Sequence, residues 1–281
     1  MKTGLVLEGG AFRGLFSAGV LDYLIEKKLV FDYVVGVSAG AGNQLNFISG
    51  QEGRTKKIIQ AEGDDAYFGV KQMCKSGKML DLDKMTFEFA HNQYPFDFDS
   101  YNNSEVEGEL VVINCETGKA EYIRKTSNAE RMLTAAKASC SVPFLCKPVE
   151  IDGKYYLDGS IADSIPVQRA VENGCDRILV VLTKRPDDSP TDFKKYKAIM
   201  GGYKKQYPGL YEALLARTDT YSEQMKLLNE LIDEGKVFLI RPEIQNISKF
   251  EKDKNKQEEF YQHGYDIMKS NYDELVKFLS E

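Results

Sequence analysis

Ser38 is the residue of this chain best placed to act as a nucleophile. It sits in Gly36-Val-Ser-Ala-Gly40, directly after the apolar run Phe31-Asp-Tyr-Val-Val35. Gly-x-Ser-x-Gly is a strand-to-helix turn that lifts one serine hydroxyl clear of the backbone. A serine hydroxyl is a weak nucleophile until a base takes its proton. It also needs hydrogen-bond donors aimed at the oxyanion of a tetrahedral intermediate. A second glycine cluster, Gly9-Gly-Ala-Phe-Arg-Gly14, offers such donors as backbone N–H groups at the start of a helix. Read alone, either cluster is equally well a tight turn.

The base is harder to find, because the chain has two histidines. His263 would give the order Ser38, Asp158, His263, which is the chain order of α/β-hydrolase triads. That fold places its serine after several strands, whereas here one strand and one helix precede it. His263 also lies in a charged stretch of an apparent surface helix, where a solvated role fits better. His91 falls in an ambiguous segment. Asp158, followed by Gly159, is the other candidate. A carboxylate near its ordinary pKa of about 3.9 is a poor base for serine, and desolvation would improve it. Asp-Gly is also a common turn pair, and the residues by themselves do not choose between the two readings.

The elements that must position these groups follow from periodicity. Residues 3–8 read as a buried strand, 12–28 as a helix, 31–37 as a strand and 39–49 as a short helix. Such a βαβ unit predicts parallel strands with a right-handed crossover. Both glycine turns then share the carboxyl edge of the sheet, where open α/β folds bind ligands. Residues 51–105 read as short helices with an aromatic loop around Tyr94–Asp99. Strands follow at 109–115 and 120–124, and Ser127 opens a capping box for a helix through Ala138. Asp152-Gly153 turns a hairpin. A strand at 177–182 and polar helices over 190–235 come next. After a strand at 237–240, one or two helices run over 253–279, with a break considered at Gly264. No composition shift marks a boundary, so one domain is expected over 1–281.

Composition limits the alternatives. The 281 residues are 42% hydrophobic, and 37 basic against 43 acidic residues leave a formal charge of −6. Such a chain has no global attraction to nucleic acid or anionic membranes. Five cysteines without C-x-x-C spacing argue against a disulfide framework or structural zinc, and for a reducing compartment. With no signal peptide and no apolar stretch of about 18 residues, a cytoplasmic protein is expected, with peripheral membrane contact left open.

Taken together, the residues resemble the patatin-like phospholipases. The family's Gly-Gly-Gly-x-Arg-Gly loop, early Gly-x-Ser-x-Gly and distant Asp-Gly-Gly or Asp-Gly-Ala are matched by Gly9–Gly14, Gly36–Gly40 and Asp158-Gly-Ser160. Ala138-Ser-Cys-Ser-Val-Pro143 is similar to the family's Ala-Ser-x-x-x-Pro stretch. Tyr156 to Pro166 also resembles its counterpart there. The match spans about residues 3–185, and Leu239-Ile-Arg-Pro242 with the helix after it resembles a bacterial subgroup more loosely.

The resemblance implies a three-layer α/β/α fold with a mostly parallel sheet. It also implies a serine acyl hydrolase acting on lipid or phospholipid esters through a Ser38–Asp158 dyad and an acyl-enzyme. Gly10 and Ala11 would hold the oxyanion, with Arg13 supporting the loop, and no metal or cofactor is required. Two residues depart from the pattern. Ala11 replaces the third glycine, and Ser160 replaces Gly or Ala, where it can hydrogen-bond Asp158 and weaken it as a base. Ala11 keeps open a catalytically weak lipid-binding or scaffold protein. Nucleotide binding by the first loop lacks both the G-x-G-x-x-G spacing and the Walker lysine.

Overall fold

The computed structural model describes the chain from Met1 to Glu281, apart from the side chains of Lys71, Lys75 and Ser76. Eight strands form one sheet: β1 (Thr3–Leu7), β2 (Tyr33–Val37), β3 (Glu107–Asn114), β4 (Ala120–Arg124), β5 (Val149–Ile151), β6 (Lys154–Asp158), β7 (Arg177–Val181) and β8 (Val237–Ile240). Their order is β5-β6-β3-β2-β1-β7-β8, with β4 also paired to β3. The five strands β3-β2-β1-β7-β8 run parallel; β4, β5 and β6 join antiparallel. Five helices reach ten residues: α1 (Gly14–Glu26), α2 (Ala39–Ile48), α3 (Ala129–Ser139), α4 (Pro208–Asp233) and α5 (Lys254–Ser280).

Alternate residues of the central strands serve opposite faces, as strand geometry requires. Leu5, Leu7, Val34 and Leu110 pack under α1, α2 and α5. Val6, Val35, Val37 and Val111 pack under α4 and the short helix Val167–Glu172. With helices on both faces, the central strands have no solvent-facing side, which is why they read as continuous apolar runs.

The register of β3 sets up the site. β2 runs along one edge of β3 and ends with Val37 opposite Val111. β4 occupies the other edge. β6 therefore shares the β2 edge, runs in the opposite direction and ends with Asp158 opposite Val112. Two strands thus meet end to end along one edge of β3, and the residues at the junction are Ser38 and Asp158.

Three expectations change. The cap of α3 is Asn128, whose side chain accepts from the Arg131 amide at 3.0 Å, rather than Ser127; asparagine is as good an N-cap as serine. α5 is continuous through Gly264. That glycine serves packing, since a Cβ there would lie 2.1 Å from the Phe16 carbonyl oxygen of α1. The facing Gly19 meets the Tyr261 carbonyl at the same distance. His263 is half-buried rather than solvated, and its Nε2 accepts from the Glu243 amide at 3.0 Å. The hairpin at Asp152-Gly153 is as expected, with φ of 51° and 78°.

Candidate active site

Ser38 caps α2 with φ 55° and ψ −122°, a conformation that side-chain-bearing residues rarely adopt. The elbow closes tightly because residues 36 and 40 carry no side chain: a Cβ on Gly36 would stand 2.3 Å from the Gly40 carbonyl oxygen, and one on Gly40 equally close to the Leu7 carbonyl oxygen. The Ser38 hydroxyl points at the end of β6 and donates to Asp158 Oδ2 at 2.7 Å. Both residues are buried, at 7% and 3% exposure.

Asp158 Oδ1 accepts from the Ser160 amide at 2.9 Å. Burial raises the Asp158 pKa above the usual carboxylate range; the hydrogen bonds from Ser38 and Ser160 and the nearby Arg217 oppose it without cancelling it. Ser160 pulls the aspartate pKa down, but burial outweighs it. Gly159 lies against β3, where a Cβ would come 2.4 Å from the Val111 carbonyl oxygen.

Ser139 fills the gap between the two strand ends. Its hydroxyl donates to the Val111 carbonyl at 2.7 Å and accepts from the Ser38 amide at 2.9 Å. It thereby replaces the ladder bond that β2 would have made had it continued. Ser139→Ala leaves a buried amide and a buried carbonyl unpaired, which costs about 1–3 kcal/mol. We expect a lower thermal midpoint and slower turnover of any Ser38-dependent reaction, read by calorimetry and a rate assay on the same preparation. An unchanged midpoint would remove this role.

The glycine loop lies beside the serine. Gly9 backs onto the Ser38 Cβ, and Gly14 onto Ala39. Gly10, Ala11 and Arg13 line one cavity with Ser38 and Asp158. Among the described residues, the amides of Gly10 and Ala11 have no acceptor in the chain. Ala11 has φ 51°, so this chain accepts at an alanine the strain that a glycine would avoid, about 1–2 kcal/mol. Arg13 holds the loop with its amide on the Gly10 carbonyl and its Nε on the Ile247 carbonyl at 2.9 Å. The Phe12 amide donates to the Lys249 carbonyl. Of five non-glycine residues with positive φ, three (Ala11, Ser38 and Phe144) line this cavity; the other two, Lys28 and Asp152, sit in turns.

Ser38 stands where two cavities meet. One, about 130 Å³, is walled mostly by apolar side chains such as Leu45, Ile58, Leu80, Leu133 and Phe96. The other, about 430 Å³, is lined by Gly10, Asp158, Lys184, Arg217 and Lys249, with Phe144, Leu145, Tyr196 and Ile199 exposed on its wall. Of the aromatics at 87–101, Phe96 lines the apolar cavity, whereas Phe89 and Tyr101 belong to the core. Cys115 and Cys175 are core residues, while Cys140 lines the apolar cavity and donates its thiol to the Ser38 carbonyl. His91 stacks on Phe98, and neither histidine lines either cavity.

Sequence reasoning assigned no role to Ser139, although it lies in the quoted 138–143 stretch. It did not single out Glu8, Lys184, Arg217 or Lys249. Glu8, a carboxylate at the end of a buried strand, was the one detectable signal among these. It accepts from the Thr183 amide, Lys184 and Tyr221.

Residues 5–171 match the family model described as patatin-like phospholipase, and residues 207–280 match a domain of unknown function, DUF6363. An uncharacterized Escherichia coli (strain K12) protein, YjjU, is 32% identical over 187 residues, covering 65% of this chain and 52% of that protein. Lysophospholipase NTE1 of Candida glabrata is 26% identical over 195 residues, 66% of this chain and 11% of that protein. The chain thus spans about half the bacterial relative and about a tenth of the fungal one. The crystal structure of VipD from Legionella pneumophila aligns over 99% of this chain and 67% of that chain, at 14% identity and a TM-score of 0.48. With its model matched over more than half the residues and the motif groups gathered around one cavity, the chain belongs to the patatin-like phospholipase family.

Proposed function

We propose that this protein is a serine acyl hydrolase of lipid esters. The observation that carries the reading is the 2.7 Å hydrogen bond from the Ser38 hydroxyl to the buried Asp158 carboxylate, at the junction of an apolar and a polar cavity. Ser38 Oγ attacks the ester carbonyl carbon as its proton passes to Asp158. The carbonyl oxygen takes the negative charge and is met by the amides of Gly10 and Ala11. As the tetrahedral intermediate collapses, Asp158 returns the proton to the departing alkoxide, which leaves as the alcohol. Water then attacks the acyl-enzyme, Asp158 takes its proton and passes it to Ser38 Oγ, and the fatty acid departs.

The apolar cavity accommodates the acyl chain. The exposed Phe144, Leu145, Tyr196 and Ile199, beside Lys194, Lys195 and Lys197, are the surface we assign to peripheral membrane contact. No described helix is long and apolar enough to cross a membrane. The C-terminal stretch completes the same folding unit, a reading supported by β8 in the common sheet and α5 packed on α1.

A fluorophosphonate probe tests the assignment. We expect a stoichiometric mass increase on the peptide containing Ser38, together with hydrolysis of a p-nitrophenyl ester that the probe abolishes. An unlabelled Ser38 in folded protein would favour instead a non-catalytic lipid-binding role, which the strained Ala11 keeps in view.

A further inference from the structure

Gly10 and Ala11, whose amides meet the oxyanion in the proposed reaction, lie in a backbone that does not hold its shape alone. Ala11 stands at φ 51°, and strain of this kind persists only where the surroundings over-determine the chain. The peptide groups on either side of the pair are both tied. On the entry side, the Gly9 carbonyl accepts from the Thr183 hydroxyl at 2.7 Å. On the exit side, the Phe12 amide donates to the Lys249 carbonyl at 3.0 Å, and Arg13 Nε to the Ile247 carbonyl at 2.9 Å. Thr183, Ile247 and Lys249 all lie outside residues 5–171, the stretch that the family model matches.

Each tie is itself held. Thr183 is fully buried, and its amide donates to Glu8 Oε2 at 2.7 Å. The other Glu8 oxygen accepts from Lys184 and from the Tyr221 hydroxyl, the latter at 3.1 Å. The Lys184 carbonyl takes two hydrogen bonds from Arg241, from Nε at 3.1 Å and from Nη2 at 2.8 Å. On the exit side the support is aromatic. Phe250, next to Lys249, meets the Phe12 ring edge-on with centroids 5.8 Å apart, and stacks on Phe68 at 4.2 Å. Tyr221, Arg241, Ile247, Lys249 and Phe250 all fall within residues 207–280, which match a domain of unknown function. Resting on the acyl-hydrolase reading, we infer that this C-terminal stretch is a clamp that fixes the oxyanion donors, with Thr183 and Phe250 as positioning residues at the two ends of the loop. Donors stabilise a developing charge best when they are already in place before it forms, so that no reorganisation is needed during the reaction. Thr183 lines neither cavity, so it acts through the loop and not on the substrate.

The test uses Thr183→Val, Thr183→Ser and Phe250→Leu in the full chain. Turnover of a p-nitrophenyl ester is expressed per serine titrated to completion by a fluorophosphonate. Misfolded protein lowers the titre, whereas a misplaced loop lowers the rate at each titrated site. Because a displacement of about 1 Å can cost about 100-fold, we expect Thr183→Val to lower kcat per site about 10- to 100-fold with KM within about twofold. Thr183→Ser, which keeps the hydroxyl, should bring kcat back to within about threefold of wild type, and Phe250→Leu should lower it about tenfold. Amide hydrogen exchange reads the clamp without any chemistry. In Phe250→Leu the Phe12 amide should exchange at least about tenfold faster than in wild type, while the amides of β1 keep their protection. Unchanged kcat per site in Thr183→Val or Phe250→Leu, a Thr183→Ser variant as slow as Thr183→Val, or unchanged exchange at Phe12 would overturn the clamp and leave the hydrolase reading standing. A wild type that neither cleaves the ester nor takes the probe would sink the hydrolase reading, and exchange at Phe12 would then decide alone: faster in Phe250→Leu supports the clamp, unchanged overturns it.

Discussion

Ser38→Gly is expected to remove ester hydrolysis entirely and to leave a protein more stable than Ser38→Ala. Both variants delete the hydroxyl that donates to Asp158 Oδ2, so neither retains a nucleophile. They differ in the backbone. At φ 55° and ψ −122°, residue 38 occupies a region costing a side-chain-bearing residue about 1–3 kcal/mol, and glycine escapes that cost. Glycine gives back about 0.5–1 kcal/mol through the greater freedom of its unfolded chain. The net expectation is an advantage of about 1–2 kcal/mol for glycine over alanine, measured by denaturant unfolding. In a midpoint scan each kcal/mol corresponds to about 2–4 °C for chains of this order of size. Equal stabilities would mean that the elbow stores no strain, and measurable turnover by Ser38→Gly would displace Ser38 as nucleophile.

That strain also marks the limit of what the sequence made legible. The elbow and the glycine loop are local: a few residues with glycines at fixed spacing suffice to call the turn, and β1, α1, β2 and α2 fall close to their expected bounds. The Asp152-Gly153 hairpin was readable for the same reason. The approach of Ser38 to Asp158 was not, because it depends on β6 meeting β2 end to end along β3, a register set by pairing across 120 residues. The motif resemblance supplied the partner, whereas periodicity left Asp158 as either a base or a turn. Gly264 misled for a related reason. A glycine in a helical pattern signals a weak point locally, but here it serves the contact with α1. The clamp from Ile247 and Lys249 onto the glycine loop joins residues some 234 apart, and no local pattern announces it. The basic lining of the polar cavity was hidden in the same way, since Arg13, Lys184, Arg217 and Lys249 come from four separate parts of the chain.

Asp158→Asn is expected to lower kcat about 100- to 10,000-fold, the usual contribution of a positioned general base, while His91→Ala with His263→Ala leaves hydrolysis intact. Asparagine keeps the shape: it can still accept from the Ser160 amide and face the Ser38 hydroxyl, but it cannot take a proton. The pH dependence has a definite sign. Burial raises the Asp158 pKa, so the carboxylate is protonated, and useless as a base, up to a higher pH than an exposed aspartate would be. Activity should therefore fall on the acid side through that raised pKa, and the limb should vanish in whatever activity Asp158→Asn retains. Stability moves the other way. The folded state holds the proton at pH values where the unfolded chain has released it, so ionising Asp158 destabilises the fold as pH rises from the unfolded pKa through the folded one. Asp158→Asn removes that cost, and its stability advantage over wild type should be greater at neutral pH than near pH 4, read as thermal midpoints at the two values. A variant equally active at neutral pH, or an acid limb that persists without the carboxylate, would assign the base to another group. A loss of activity in the double histidine variant would point to a triad instead.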